Sequence, residues 1–138
     1  LDIRYFGEAK SFITKNGINV GMLNKEELNS LYAEADFGMV ASLSNISLIP
    51  YEMLATGLPL IEFEDGTFSD FFPENCALLT SLSWKDLYLR LKECIATPEL
   101  LELRDTNANA YLDTLSWEKT GRQFYEILQS VSEQEYNQ

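Results

Sequence analysis

Phe37-Gly38-Met39-Val40-Ala41, then Ser42 to Ile46, then Ser47-Leu48-Ile49-Pro50-Tyr51-Glu52-Met53-Leu54-Ala55-Thr56-Gly57 is the stretch on which the fold turns. The first piece is a nearly continuous apolar run. Without polar alternation, such a run reads as a parallel strand covered on both faces. The second piece is a polar loop. In the third, Ser47 is placed to cap a helix reaching Ala55, Pro50 is tolerated in its first turn, and Gly57 supplies the stop. Leu58-Pro59-Leu60-Ile61-Glu62-Phe63 follows as another strand. A strand, a loop, a helix and a strand in this order make one parallel crossover unit.

The same alternation extends both ways. Upstream, Ile3 to Phe6 reads as a strand, and Glu8 to Lys15 fits either a helix or an irregular loop. Asn16-Gly17 is a turn and Ile18-Asn19-Val20 a short strand. Asn24 precedes Lys25-Glu26-Glu27, and Leu28, Leu31 and Tyr32 have the spacing of an amphipathic helix running to about Ala35. Downstream, Glu64 to Thr67 is a turn, Phe68 to Phe72 one helical turn, and Ala77 to Leu79 a strand. Ser83 caps a helix from Trp84 to Ala96. Thr97-Pro98 opens one that reaches Thr114, and Ser116-Trp117-Glu118 opens a last one ending near Val131. The expected fold is α/β, a Rossmann-like parallel sheet with helices on both faces. One unit spans residues 1–131, followed by a polar, frayed tail at 132–138.

Charge narrows the partners. With 10 Lys+Arg against 22 Asp+Glu the chain carries −12, which opposes binding to nucleic-acid backbones and anionic lipid. The absence of histidine removes His-based acid/base chemistry, and the two cysteines, Cys76 and Cys94, read as reduced, buried thiols. No metal site is expected: Glu62, Glu64, Asp65 and Asp70 match no metal loop and read as a solvated acidic loop. No apolar run approaches the ~20 residues of a membrane span. The start at Leu1, in an apparent strand, reads as part of a longer cytoplasmic polypeptide.

Any phosphorylated ligand must therefore be held locally, by amides at a helix mouth. Ligands of open α/β sheets collect where strand ends meet helix starts, and the segment from Ala41 to Gly57 builds such a place. With Ser47 as cap, the N–H groups of Leu48 and Ile49 lack helical partners and suit a diphosphate. Glu52 lies roughly 6 Å further along at ~1.5 Å per residue, the offset from pyrophosphate to ribose. A carboxylate accepts from a vicinal diol and is unsuited to phosphate.

The run Gly21 through Gly57 also resembles the C-terminal domain of glycosyltransferase family 4, a GT-B fold. The matching pieces are Gly21-Met22-Leu23, Glu27-Leu28, Leu31-Tyr32-Ala33, Ala35-Asp36 and Glu52-Met53-Leu54-Ala55-Thr56-Gly57-Leu58-Pro59. Most members carry a second Glu eight positions before the first, where this chain has Ser44. The loop Ser42 to Glu52 is similar instead to a rhamnosyltransferase-like subgroup that uses a deoxythymidine-diphosphate sugar. The resemblance implies that Asn45, Ile46, Ser47, Leu48 and Ile49 hold the donor diphosphate, Glu52 the ribose, and Gly21, Met22 and Leu23 the base. It further implies hexosyl transfer with retention, no cofactor beyond the donor substrate, and a glycan acceptor bound by an N-terminal domain absent from this chain. In isolation the chain is then inactive. The family's catalytic Arg and Lys are expected before Leu1, because Arg4 falls in a strand and Lys10 in an irregular segment.

Two other readings compete. A sugar-nucleotide epimerase half-domain shares the fold and the ribose-binding acid but needs acid/base groups not evident here. A non-catalytic α/β binding or signalling module, such as a phospho-receiver, needs a strand-end Asp, and Asp36 stands at the wrong end of its strand. Trp117, Phe124, Tyr125 and Leu128, like Trp84, Leu87 and Leu91, have the spacing of helix faces packed in a core or domain interface.

Overall fold

The computed structural model describes residues 1–136. Three strands open the chain: β1 (Ile3–Tyr5), β2 (Ile13–Thr14) and β3 (Gly17–Asn19). β1 runs parallel to β3, and β2 turns back antiparallel on β3 through Lys15-Asn16. The stretch from Glu8 to Lys15 is thus an irregular loop ending in a hairpin strand, not a helix. Asn19 anchors that loop by donating its side-chain amide to the carbonyls of Glu8 at 2.6 Å and Lys10 at 2.9 Å.

Helix α1 (Lys25–Glu34) begins at a full capping box. The Asn24 side chain accepts from the N–H groups of Glu26 and Glu27, and the Glu27 carboxylate accepts from the Asn24 N–H at 2.8 Å. The chain then enters β4 (Gly38–Met39), α2 (Ile49–Ala55), β5 (Leu60–Phe63), the single turn α3 (Phe68–Phe71) and β6 (Leu78–Thr80). β4, β5 and β6 form a second sheet in that order, all parallel. Gly57, at φ 76°, ends α2 in the left-handed region where a side chain is penalised, as its position after Ala55 and Thr56 predicts.

β5 is covered on both faces. Leu60 joins a core with Tyr32, Met53, Leu54, Leu58, Phe68 and Phe72, whereas Ile61 faces Leu78 and Cys94, with Leu87, Leu91 and Leu101 packed behind them. Those two faces are served by α2 on one side and α4 (Trp84–Ala96) on the other, while α5 (Pro98–Leu112) contributes Ala108 to the first core and Leu101 to the second. Cys76 and Cys94 are free and lie in separate clusters. Burial pushes the Cys76 thiol pKa up, which makes it inert.

Several expectations need correction. The β4 segment is only partly covered on its two faces: Val40 packs against the first core and Phe37 against the second, but Met39 is 50% exposed, and the strand lies at a sheet edge. Trp84 is largely exposed although Leu87 and Leu91 pack inward. The stripe Trp117, Phe124, Tyr125 and Leu128 on α6 (Trp117–Tyr136) is exposed, which removes the core half of the expected core or domain interface and leaves the interface half untouched. That helix continues past Val131, the end expected for it; of the expected frayed tail, residues 137 and 138 lie outside the described residues. No helix among the described residues is long and apolar enough to cross a membrane.

Ser83 does not cap α4 with its side chain. Asp86 serves the entry instead, accepting from the Ser81 N–H at 2.8 Å and the Thr80 hydroxyl at 3.1 Å. The Ser81 N–H holds the Asp86 carboxyl below the usual range; burial opposes this, while the Thr80 hydroxyl, the Ser81 side chain and Arg90 add to it. A depressed carboxyl pKa stabilises the fold above the unfolded value near ~3.9 and loses that contribution as pH falls through the folded value. Asp86→Asn should therefore lower stability at neutral pH and flatten the acid limb of denaturation midpoints measured between pH 2 and 5.

Candidate functional site

The segment from Ser42 to Glu52 leaves the C-terminal end of β4 and enters α2, as the sequence predicts. Helix α2 starts later than expected, at Ile49, with Leu48 as the capping position and no side-chain cap on it. Ser47 stands one residue outside, and its hydroxyl accepts from the Ile49 N–H at 3.3 Å. Of the two amides assigned to an anion, Ile49 is thus already engaged, and Leu48 is available. The N–H groups of Ser44, Asn45, Ile46, Ser47 and Leu48 make no hydrogen bond with the protein among the described residues. They form a run of donors in an exposed loop. The side chains of Ile46 and Ile49 pack against the core and anchor the loop.

Glu52 lies in the first turn of α2, exposed, with its N–H bonded to the Leu48 carbonyl at 3.0 Å. The Tyr32 phenol is buried, its hydroxyl has no partner among the described residues, and burial and then the Glu52 charge raise its pKa. Tyr32 also meets the ring of Phe6, just after β1, edge-on at 6.0 Å between centroids. The ends of β1, α1 and α2 therefore converge on one spot.

The segment Gly21-Met22-Leu23 lies near the end of β1: Gly7 donates its N–H to the Gly21 carbonyl at 2.9 Å, and the Gly21 N–H is held by the Asn19 side chain at 3.1 Å. Met22 is exposed and Leu23 half-buried. Leu23 borders an open groove with Arg4, Val20, Glu26, Glu27 and Glu34. That groove is acidic and unsuited to phosphate. Arg4 is held by Asp2 at 3.5 Å and by Glu34 at 3.3 Å.

Glu62 belongs to the site in a way its sequence reading missed. It is no part of a solvated loop: it sits on β5, fully buried, where its carboxylate accepts from the Ser42 hydroxyl at 2.6 Å and the Ser42 N–H at 3.1 Å. The Ser42 carbonyl in turn accepts from the Thr67 N–H at 2.6 Å and the Thr67 hydroxyl at 2.9 Å. Gly66 completes this polar staple, since a Cβ there would stand 2.5 Å from the Ser42 oxygen. The staple fixes the point at which the Ser42–Leu48 loop leaves β4. The signal was available, because a Glu between Ile61 and Phe63 in a buried strand demands a buried partner. Glu64, Asp65 and Asp70 are exposed, and no group of three or more ligating side chains that could hold a metal ion occurs among the described residues.

Comparison with protein-family models gives no match, and neither does comparison with curated proteins. Solved structures do match. Sucrose-phosphate synthase from Thermosynechococcus elongatus superposes with a TM-score of 0.65 at 20% identity, covering 84% of this chain and 30% of that one. HepE of Anabaena, solved in complex with UDP and glucose, gives 0.66 at 18% identity, covering 84% and 32%. WaaG, a glycosyltransferase involved in lipopolysaccharide biosynthesis, gives 0.58 at 19%, covering 73% and 28%. The chain thus spans about a third of the length of the proteins it matches. At these identities the likeness speaks for the fold, and the chain has an α/β Rossmann-like fold of the kind found in GT-B glycosyltransferases.

Proposed function

We propose that this chain is the donor-binding domain of a cytoplasmic glycosyltransferase, holding a nucleoside-diphosphate sugar at the mouth of α2. The observation that carries the reading is the run of unpartnered amides from Ser44 to Leu48 at a strand end, one helical turn before Glu52, in a fold shared with GT-B glycosyltransferases. The amides donate to the diphosphate, Glu52 accepts from the pentose 3′-hydroxyl, and the Gly21-Met22-Leu23 loop borders the base. No Lys or Arg occurs between Ala41 and Gly57, so the cations that neutralise the departing diphosphate come from another part of the protein.

The resemblance of Ser42 to Glu52 supports a deoxythymidine-diphosphate deoxyhexose such as rhamnose as donor, transferred with retention to a glycan during polysaccharide synthesis. The HepE complex holds UDP, so both lines share a pyrimidine nucleoside diphosphate. The acceptor belongs to a further domain, and the 138-residue chain alone transfers nothing. Calorimetric titration with dTDP, UDP, GDP and ADP tests this. Binding of a pyrimidine diphosphate in preference to the purine ones is expected. No heat from any of the four at millimolar concentration would sink the reading and favour a non-catalytic module.

A further inference from the structure

Tyr32 carries a group that packing does not explain. It stands in the last turn of α1, and its ring fills the first core at 4% exposure, edge-on to Phe6. Its hydroxyl is buried with it and has no hydrogen-bond partner among the described residues. A phenylalanine would fill the same space without taking an O–H out of water, and buried tyrosines ordinarily find an acceptor. A hydroxyl left open in this way calls for an acceptor that moves to it.

The fold sets that hydroxyl close to the mouth of α2. Val40, after β4, and Ile49, the first residue of α2, pack against the cluster that contains Tyr32 and Met53. Residues three apart are neighbours on a helix surface, so Glu52 stands beside Ile49 at the rim of that cluster. Met53, next to Glu52 in the chain, lies within it. In keeping with this, the Glu52 charge adds to the rise that burial imposes on the Tyr32 pKa, which keeps the phenol protonated and able to donate at neutral pH. The Glu52 carboxylate is exposed and makes no hydrogen bond to the protein among the described residues. An unrestrained glutamate loses rotamer freedom when a ligand pins it, which weakens binding.

We infer that Tyr32 is a positioning residue for Glu52: when a pentose docks, the carboxylate accepts from the Tyr32 O–H on one oxygen and from the pentose on the other. A carboxylate has acceptor sites for both. The two bonds hold the glutamate in one rotamer and satisfy the phenol in the same step. Bonds of this kind commonly tighten only in the complex, which is why both groups stand unpaired without a ligand. The inference rests on the donor site proposed above and adds to it a residue that does not touch the nucleotide.

Tyr32→Phe in the full-length protein tests it, by calorimetry with UDP and dTDP and by urea denaturation. The substitution removes one oxygen and keeps the ring. Affinity for the tighter-binding nucleotide should fall about 5-fold or more. The urea midpoint should stay level or rise, because the ligand-free protein loses only an unsatisfied group. In a Glu52→Ala background the same substitution should change affinity by less than about twofold. Unaltered affinity overturns the inference, and so does a loss that persists without the Glu52 carboxylate. A lower midpoint overturns it too, since the hydroxyl then has a partner in the unliganded protein. Failure of the wild type to bind either nucleotide removes the donor site and this inference together, whereas wild-type binding without coupling between Tyr32 and Glu52 removes the inference alone.

Discussion

Glu62→Ala should cost about 2–4 kcal/mol of folding stability, the largest loss expected from any single exposed or buried acid in this chain. The carboxylate is the acceptor for both the N–H and the hydroxyl of Ser42, and Ser42 is itself buried. Truncation strands these two donors out of water, at about 1–3 kcal/mol for each unsatisfied buried group, and leaves a void beneath the loop. Glu62→Gln keeps one acceptor oxygen and should fall between wild type and Glu62→Ala. Ser42→Ala removes the hydroxyl alone and should cost less, because the Ser42 N–H still finds the carboxylate. Gly66→Ala should destabilise by a different route, since its Cβ meets the Ser42 carbonyl at 2.5 Å and must push the loop outward. Urea denaturation of the four variants gives the order. A cost below about 0.5 kcal/mol for Glu62→Ala, the range of ordinary surface changes, would show that the staple does not hold the loop.

That residue also shows where sequence reading succeeds and fails. The α1 capping box, the helix ended by Gly57 and the parallel β4-α2-β5 unit were legible because each depends on local spacing: Asn24 to Glu27, Pro50 to Gly57, an apolar run and then a second one. Glu62 was misassigned because its meaning is nonlocal. Its partner lies 20 residues away, and proximity in sequence to Glu64 and Asp65 disguised a buried strand position as loop. The helix faces at Trp84 and Trp117 illustrate the same limit. Periodicity marks an apolar face correctly, but not whether another element of the chain covers it, and these two indoles remain exposed. The cap of α2 shifted by one residue: Leu48 takes the capping position, and the Ser47 hydroxyl accepts from the Ile49 N–H from just outside the helix. The polar loop at the end of β4, by contrast, follows from a rule about strand ends that requires no tertiary detail, although of the two amides expected to be free there Ile49 is engaged by Ser47.

Glu52→Ala should weaken nucleotide binding by about 10- to 100-fold, the ~1.5–3 kcal/mol of a hydrogen bond to a charged group, and leave the fold intact. The carboxylate is exposed and makes no hydrogen bond to the protein among the described residues, so stability does not depend on it. Its position, one turn beyond the amide run, suits the pentose. A ribonucleotide donor, whose vicinal diol the two oxygens of Glu52 span, makes wild-type protein bind UDP more tightly than 2′-deoxyuridine diphosphate and Glu52→Ala abolish the preference. A deoxythymidine donor, held by its 3′-hydroxyl alone, gives no such preference. Glu52→Gln keeps one acceptor and should retain part of the affinity. Ser47→Asp probes the neighbouring half of the site, placing a carboxylate among the diphosphate donors and weakening every nucleoside diphosphate alike, whatever its pentose. Two different signatures are therefore expected from two residues five positions apart: loss of pentose discrimination at Glu52, and uniform loss at Ser47. Calorimetry with the two uridine diphosphates separates them. Equal affinities for wild type and both variants, within about twofold or roughly 0.4 kcal/mol, would remove α2 from any donor site.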